Sequence, residues 1–281
     1  DAAGARFERA VSLVADQPVS RAKVFVLSEA ARFEFLAGRA EAAIRLCEEV
    51  LPMADELGLD DRVPNLLITM GSARTTLGDR EGLALLERAV ALADDMNHSS
   101  AVRGRINLAS HLVELGEVER GREIHAEGLR VAERVGLPQP TTWLRAELGI
   151  DAMLLGDWDA AEASCDSSLR NSEAAPHYME PGVRGARAII RLARGDAAGA
   201  REDAERSLAF ARGAKDPQVL LPALVVTAEV ELAAGRSERA SELVSELFDA
   251  CTTSGAGTTA ARWSVRLAFV CSALDRGRSF L

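Results

Sequence analysis

Four arginines, Arg184, Arg187, Arg191 and Arg194, stand at i, i+3, i+7 and i+10. On a helix that spacing puts all four guanidiniums on one face. The guanidinium is a planar fork of donors that matches carboxylates and phosphates. Arg145 and Arg105 fall in the slot of Arg184 when the chain is set in register one and two structural units earlier. Two accounts of the stripe are open: a groove for an anionic ligand, or pairing within the chain. Glu202, Asp203 and Glu205 on the next helical segment are at hand for pairing, which is the simpler account.

Other chemistry is thin. The two lysines are Lys23 and Lys215, and Gly213-Ala214-Lys215-Asp216 lacks the Gly-Lys-Ser/Thr ending of a phosphate-binding loop. The nucleophile-elbow, zinc-protease and calcium-loop patterns are absent, so neither an enzyme nor a metal or cofactor is expected. Cys47, Cys165, Cys251 and Cys271 are widely spaced without a CxxC, which fits a reducing cytoplasm better than a disulfide framework or zinc ribbon. A net charge of −10 argues against tracking nucleic-acid phosphates. The longest apolar stretch, Val219 to Ala228 with Pro222 inside it, is too short to span a bilayer.

The elements that would carry these side chains repeat. Gly38, Gly78, Gly116, Gly156, Gly195 and Gly235 each close an apolar helical run and open another, at spacings of 40, 38, 40, 39 and 40, and Gly277 follows after 42. Glycine takes the left-handed conformation that ends a helix without a Cβ penalty. An acidic residue follows four of them, favouring the next helix N-terminus, whereas Arg39, Arg236 and Arg278 follow three. Seven residues before the first six stand Ala31, Gly71, Ala109, Gly149, Ala188 and Ala228; five after stand Ala43, Leu83, Gly121, Ala161, Ala200 and Ala240. Small residues there let paired helices approach closely. Leu83 departs from the column, as a one-residue deletion would cause. Cys47, His125 and Cys165, nine after their glycines, fall at core-facing positions.

With a helical period between the breakers, the chain predicts about fourteen helices and no strand: one near 4–16, six antiparallel pairs, and one near 258–275. It reads as a single array over 1–281, with repeats roughly 20–58, 59–98, 99–137, 138–175, 176–215, 216–254 and a partial 255–281. The first residue is Asp1, and the array is expected to be a piece of a longer protein.

The segment GDWDAAEASCDSSL at 156–169 resembles the second helix of a tetratricopeptide repeat, with a turn Gly-Asp, an aromatic, and small residues five after and seven before the glycine. The resemblance implies an all-α, right-handed solenoid of helix pairs. The period of about 40 exceeds that family's 34, and only Trp158 keeps an aromatic signature position. Segments such as LGDREGLALLERAVALA and INLASHLVELGEVERG resemble the C-terminal arm of large bacterial regulators that pair an AAA or STAND ATPase with a nucleotide cyclase or a LuxR-type output domain.

That resemblance implies a non-enzymatic protein- or peptide-binding regulatory domain of a bacterial signalling or transcription-regulatory ATPase, cytoplasmic, partnering domains of its own parent chain, or a second copy through exposed terminal helices. The rival is a small-molecule or peptide sensor with its ligand in the groove. Positions thirteen and six before the turn glycine would line that groove: Phe25, Asn65, Arg103 and Trp143, with Arg32, Ser72, Ser110, Ile150 and Ile189. Ser28 and Thr69 stand where the family's carboxylate clamp needs Lys and Asn, which disfavours a chaperone-tail receptor. Trp143, near Pro138 and Pro140, is either a ligand platform or a staple between helices. The groove candidates are therefore Arg32, Asn65, Arg103, Trp143, Arg145, Arg184, Arg187 and Arg191.

Overall fold

A computed structural model describes residues 2–172, 177–214, 216–254 and 264–274. Their regular structure is helical throughout. The helices are α1 (Ala2–Ala15), α2 (Arg21–Leu36), α3 (Ala40–Glu56), α4 (Val63–Thr76), α5 (Glu81–Asp95), α6 (Ser100–Glu114) and α7 (Val118–Val135). There follow α8 (Pro138–Leu154), α9 (Trp158–Ser172), α10 (Glu180–Ala193), α11 (Ala197–Ala214), α12 (Pro217–Ala233), α13 (Ser237–Ser254) and α14 (Ser264–Ala273). Six pairs, α2–α3 to α12–α13, stand between α1 and α14 as the periodicity expects. The seventh turn glycine, Gly277, lies outside the described residues.

The chain divides into two compact units, 1–112 and 113–281, with the division inside α6. In the first, α2 packs on α3, α4 on α5, and α2 also on α4. In the second, each helix from α7 to α12 packs on the next, and α8 meets α10, α10 meets α12, and α12 meets α14. Within each unit these first helices, α2 with α4, and α8, α10, α12 and α14 in turn, touch one another. Each pair buries its apolar stripe against the neighbouring pair, so stacking carries the stability.

The turn explains the glycine column. All six described turn glycines have φ between 76° and 86°. Past the glycine, the backbone N–H of the next residue returns to the carbonyl four before the glycine: Arg39 to Glu34, Asp79 to Arg74, Asp196 to Arg191, Arg236 to Glu231. This closure satisfies a carbonyl that the helix end leaves open. It also brings the two side chains together, and they carry opposite charge: Arg39 with Glu34, Arg74 with Asp79, Arg191 with Asp196, Arg236 with Glu231. Arg39 and Arg236, which break the acidic rule after their glycines, each have a glutamate at the opposite position.

The small-residue columns are buried in every pair. In α5 the place belongs to Gly82, four after its glycine, while Leu83 is half-buried. A Cβ on Gly71 would lie 2.8 Å from the Gly82 carbonyl oxygen, and one on Gly82 2.4 Å from that of Gly71. Cys47, His125 and Cys165 are core residues, all below 3 % exposed. Burial pushes the Cys47 and Cys165 thiols up to about 12, which makes them inert packing groups.

Candidate functional site

In residues 1–112, three of the groove candidates come together from α2, α4 and α6. Arg103 lies thirteen before Gly116 on α6, a first-helix position, and its guanidinium is largely covered. One Nη donates to the backbone and side-chain oxygens of Asn65 at 3.1 and 2.9 Å. Its Nε–H is buried with no acceptor among the described residues, and no carboxylate pairs with it. Burial, and next the charge of Arg32, lower its pKa to about 10. Arg32 itself is exposed, with only Glu29 near it at 3.8 Å. Arg103 is thus a covered cation held by neutral oxygens with a second cation beside it, and the Glu29 carboxylate, which pairs with Arg32, offsets its charge only in part. Phe25, half exposed, flanks this face with Arg62 over its ring at 5.1 Å. Ser28 and Thr69 bond back to their own helix carbonyls, so no carboxylate clamp forms.

The rest of the groove register is uneven. Ser72, Ile150 and Ile189, six before their glycines, are buried and line nothing. Trp143 stacks on Tyr178, ring centroids 5.2 Å apart at 15°. The Tyr178 hydroxyl donates to Asp216 at 2.9 Å, so the stack ties α8 to the residues before α10 and α12.

In residues 113–281, the arginine stripe of α10 turns toward the second helices. Arg184, Arg187 and Arg191 converge on one carboxylate, Asp203 of α11, which is 1 % exposed. Arg187 grips both of its oxygens at 2.7 and 2.6 Å and reaches Asp166 of α9 at 2.6 Å. Burial pulls the Arg187 pKa down, and the bonds to Asp203 and Asp166 more than reverse it, so the group stays charged. Arg194 pairs with Asp159 and Glu162. The internal partner is thus Asp203, not Glu202 or Glu205, which point outward. The register column does not build a shared groove: Arg105 pairs with Asp94 at 2.7 Å and Arg145 with Glu133 at 2.8 Å, each tying a first helix to the preceding second helix.

No family model matches the chain, and no curated protein matches it. Among solved structures, the apo form of RapI matches with a TM-score of 0.67 at 12 % identity, over 92 % of this chain and 99 % of that one. A Rap conjugation regulator of plasmid pLS20, in complex with the Phr* peptide, matches at 0.62 and 12 % identity, over 91 % of this chain and 75 % of that one. A signal transduction ATPase with numerous domains from Pyrococcus horikoshii, which has a tetratricopeptide repeat sensor, matches at 0.61 and 14 % identity. That match takes in 95 % of this chain, which spans 40 % of the ATPase's length.

The fold is that of the tetratricopeptide-repeat proteins.

Within that fold the site residues that sequence reasoning missed sit mainly on second helices. Arg170 of α9 and Arg206 of α11 join Arg184, Arg187 and Arg191 around a cavity of about 320 Å³. His125 of α7 meets Asp151 of α8 at 2.7 Å, both fully buried. This pair has no third group and no exposure, so it fastens two helices. In a tetratricopeptide register, apolar columns repeat at fixed offsets, but Asp166 and Asp203 stand ten and eight residues after their glycines. Only the shared buried face of Ala200, Asp203 and Ser207 marks Asp203 beforehand.

Proposed function

We propose that the chain is a non-enzymatic interaction and regulatory repeat domain that takes an acidic segment of a protein or peptide on its first-helix face, at Arg32, Asn65 and Arg103. One observation carries the reading: Arg103 keeps a covered, charged guanidinium with a buried, unanswered Nε–H and no carboxylate bonded to it among the described residues, Glu29 acting on it only through its charge. A folded protein gains nothing from an unpaired covered cation, because desolvation costs more than two neutral acceptors return. An arriving carboxylate meets the uncovered part of the Arg103 guanidinium, whose Nη2 is already held by Asn65, and the charge of exposed Arg32. Phe25 offers an apolar contact beside it.

The fold supports the reading, since a Rap regulator of the same fold was solved holding a peptide. The attached context belongs to the proposal as well: an arm of a bacterial multidomain signalling ATPase whose output responds when the face is occupied. The STAND ATPase with its repeat sensor is the supporting likeness, and it is an analogy of fold.

The test is selection from a displayed random peptide library on the whole 281-residue chain, followed by titration of the winners. Acidic peptides are expected to win. Their affinity should fall about tenfold or more in Arg103→Gln, the loss expected for one charge-assisted hydrogen bond. Winners without acidic groups, or equal affinity in Arg103→Gln, would refute the proposal.

A further inference from the structure

On the second-helix side of residues 113–281, the cavity of about 320 Å³ lies between α9, α10 and α11. Its wall is Arg170, Arg184, Arg187, Arg191 and Arg206, with Asp166 and Leu169 completing it. Five guanidiniums and one carboxylate form the wall, and the other carboxylates that pair with them, Asp203, Glu180, Asp196 and Glu202, are not part of it.

The internal partners leave donors over. Each guanidinium has five N–H groups. Arg184 uses Nε on Glu180 and one Nη on Asp203. Arg191 uses one Nη, on the Gly199 carbonyl and Asp203. Arg206 meets Glu202 at 3.2 Å on its own helix. Arg170 has no polar partner among the described residues. Asp203 is sealed beneath and acts as a fixed counter-anion that holds three forks in place. Its single charge is shared among the three, and Glu180, Asp196 and Glu202 pair with Arg184, Arg191 and Arg206.

We propose that this cavity binds a small phosphate monoester, the dianionic group lying between the free edges of the guanidiniums and Asp166 accepting from a ligand hydroxyl. A phosphate has three terminal oxygens for the preorganised forks, and the volume falls at the lower end of small-molecule sites. This surface is independent of the Arg103 face, so either proposal stands if the other fails.

The experiment is thermal melting and calorimetric titration of the whole chain with inorganic phosphate, pyrophosphate and a sugar monophosphate, against chloride at equal ionic strength. The sugar monophosphate is expected to bind, and to raise the melting temperature by mass action. Arg170→Ala with Arg206→Ala removes two rim forks that hold no part of the Asp203 network. It should lower that affinity about tenfold or more per guanidinium and leave the unliganded melting temperature near its original value. Arg103→Gln should leave phosphate binding intact. No rise beyond chloride, or an equal rise in the rim variant, would overturn the proposal. So would a phosphopeptide that binds where the sugar monophosphate does not.

Discussion

Asp203 and Arg103 are opposite solutions to burying charge, and substitution separates them. Asp203 is 1 % exposed and answers three guanidiniums. Asp203→Ala leaves those cations facing one another, and about 3 kcal/mol of stability should be lost, the usual cost of breaking a buried pair from one side. Urea denaturation measures it; a loss under about 1 kcal/mol would mean the network is solvated. Burial, and next the charge of Arg32, disfavour the charged form of Arg103 and lower its pKa to about 10, with Glu29 opposing them only in part. The penalty is present at neutral pH and disappears only in strong alkali, where the group is neutral in both states. Arg103→Met should therefore keep or raise the melting temperature at pH 7 while weakening acidic-peptide binding, a trade of stability for function. Sequence named Asp203 as one of three possible partners of the stripe and Arg103 as a groove position, but residue type alone did not separate their roles. Both residues look like charges on a helix face, and what distinguishes them is whether a carboxylate from another helix reaches them.

Helix ends and helix contacts set the next scale. At the α12–α13 turn the Arg236 side-chain hydrogen bond holds the Glu231 carboxyl below the ordinary carboxylate range, against burial. A depressed folded pKa adds stability above the unfolded value, and that is lost as pH falls through the folded one. The melting-temperature gap between the parent and Glu231→Gln should thus be open at neutral pH and close in acid; a gap that persists in acid contradicts the pairing. Gly71→Ala should cost about 1–3 kcal/mol, because the new Cβ meets the backbone of Gly82 and the helices must part. Gly213→Ala, with open space around it near the end of α11, should be neutral or gain up to about 1 kcal/mol. Denaturation of the two variants side by side decides it. The small-residue columns were legible because packing distance acts at a fixed offset in every pair. The departure at Leu83 was legible as a one-residue deletion, and the burial of Gly82 in its place agrees with that.

For the whole molecule, the glycine spacing was enough to read helix pairs, their number and their class. A stacking unit must repeat its turn and its close contacts, and both leave marks in sequence. The binding surfaces are less legible because they depend on which unlike residues meet. Arg32, Asn65 and Arg103 were named from a groove register and do meet, whereas Trp143 and Arg145 share that list and are occupied with Tyr178 and Glu133. The central claim is that Arg103 waits for a carboxylate. A double-mutant cycle tests it directly, with the parent chain and Arg103→Gln each titrated with a selected acidic peptide and with the same peptide bearing the amide of its key acid. A coupling energy of about 1.5 kcal/mol or more is expected for one charge-assisted hydrogen bond; additive losses with no coupling would contradict the account.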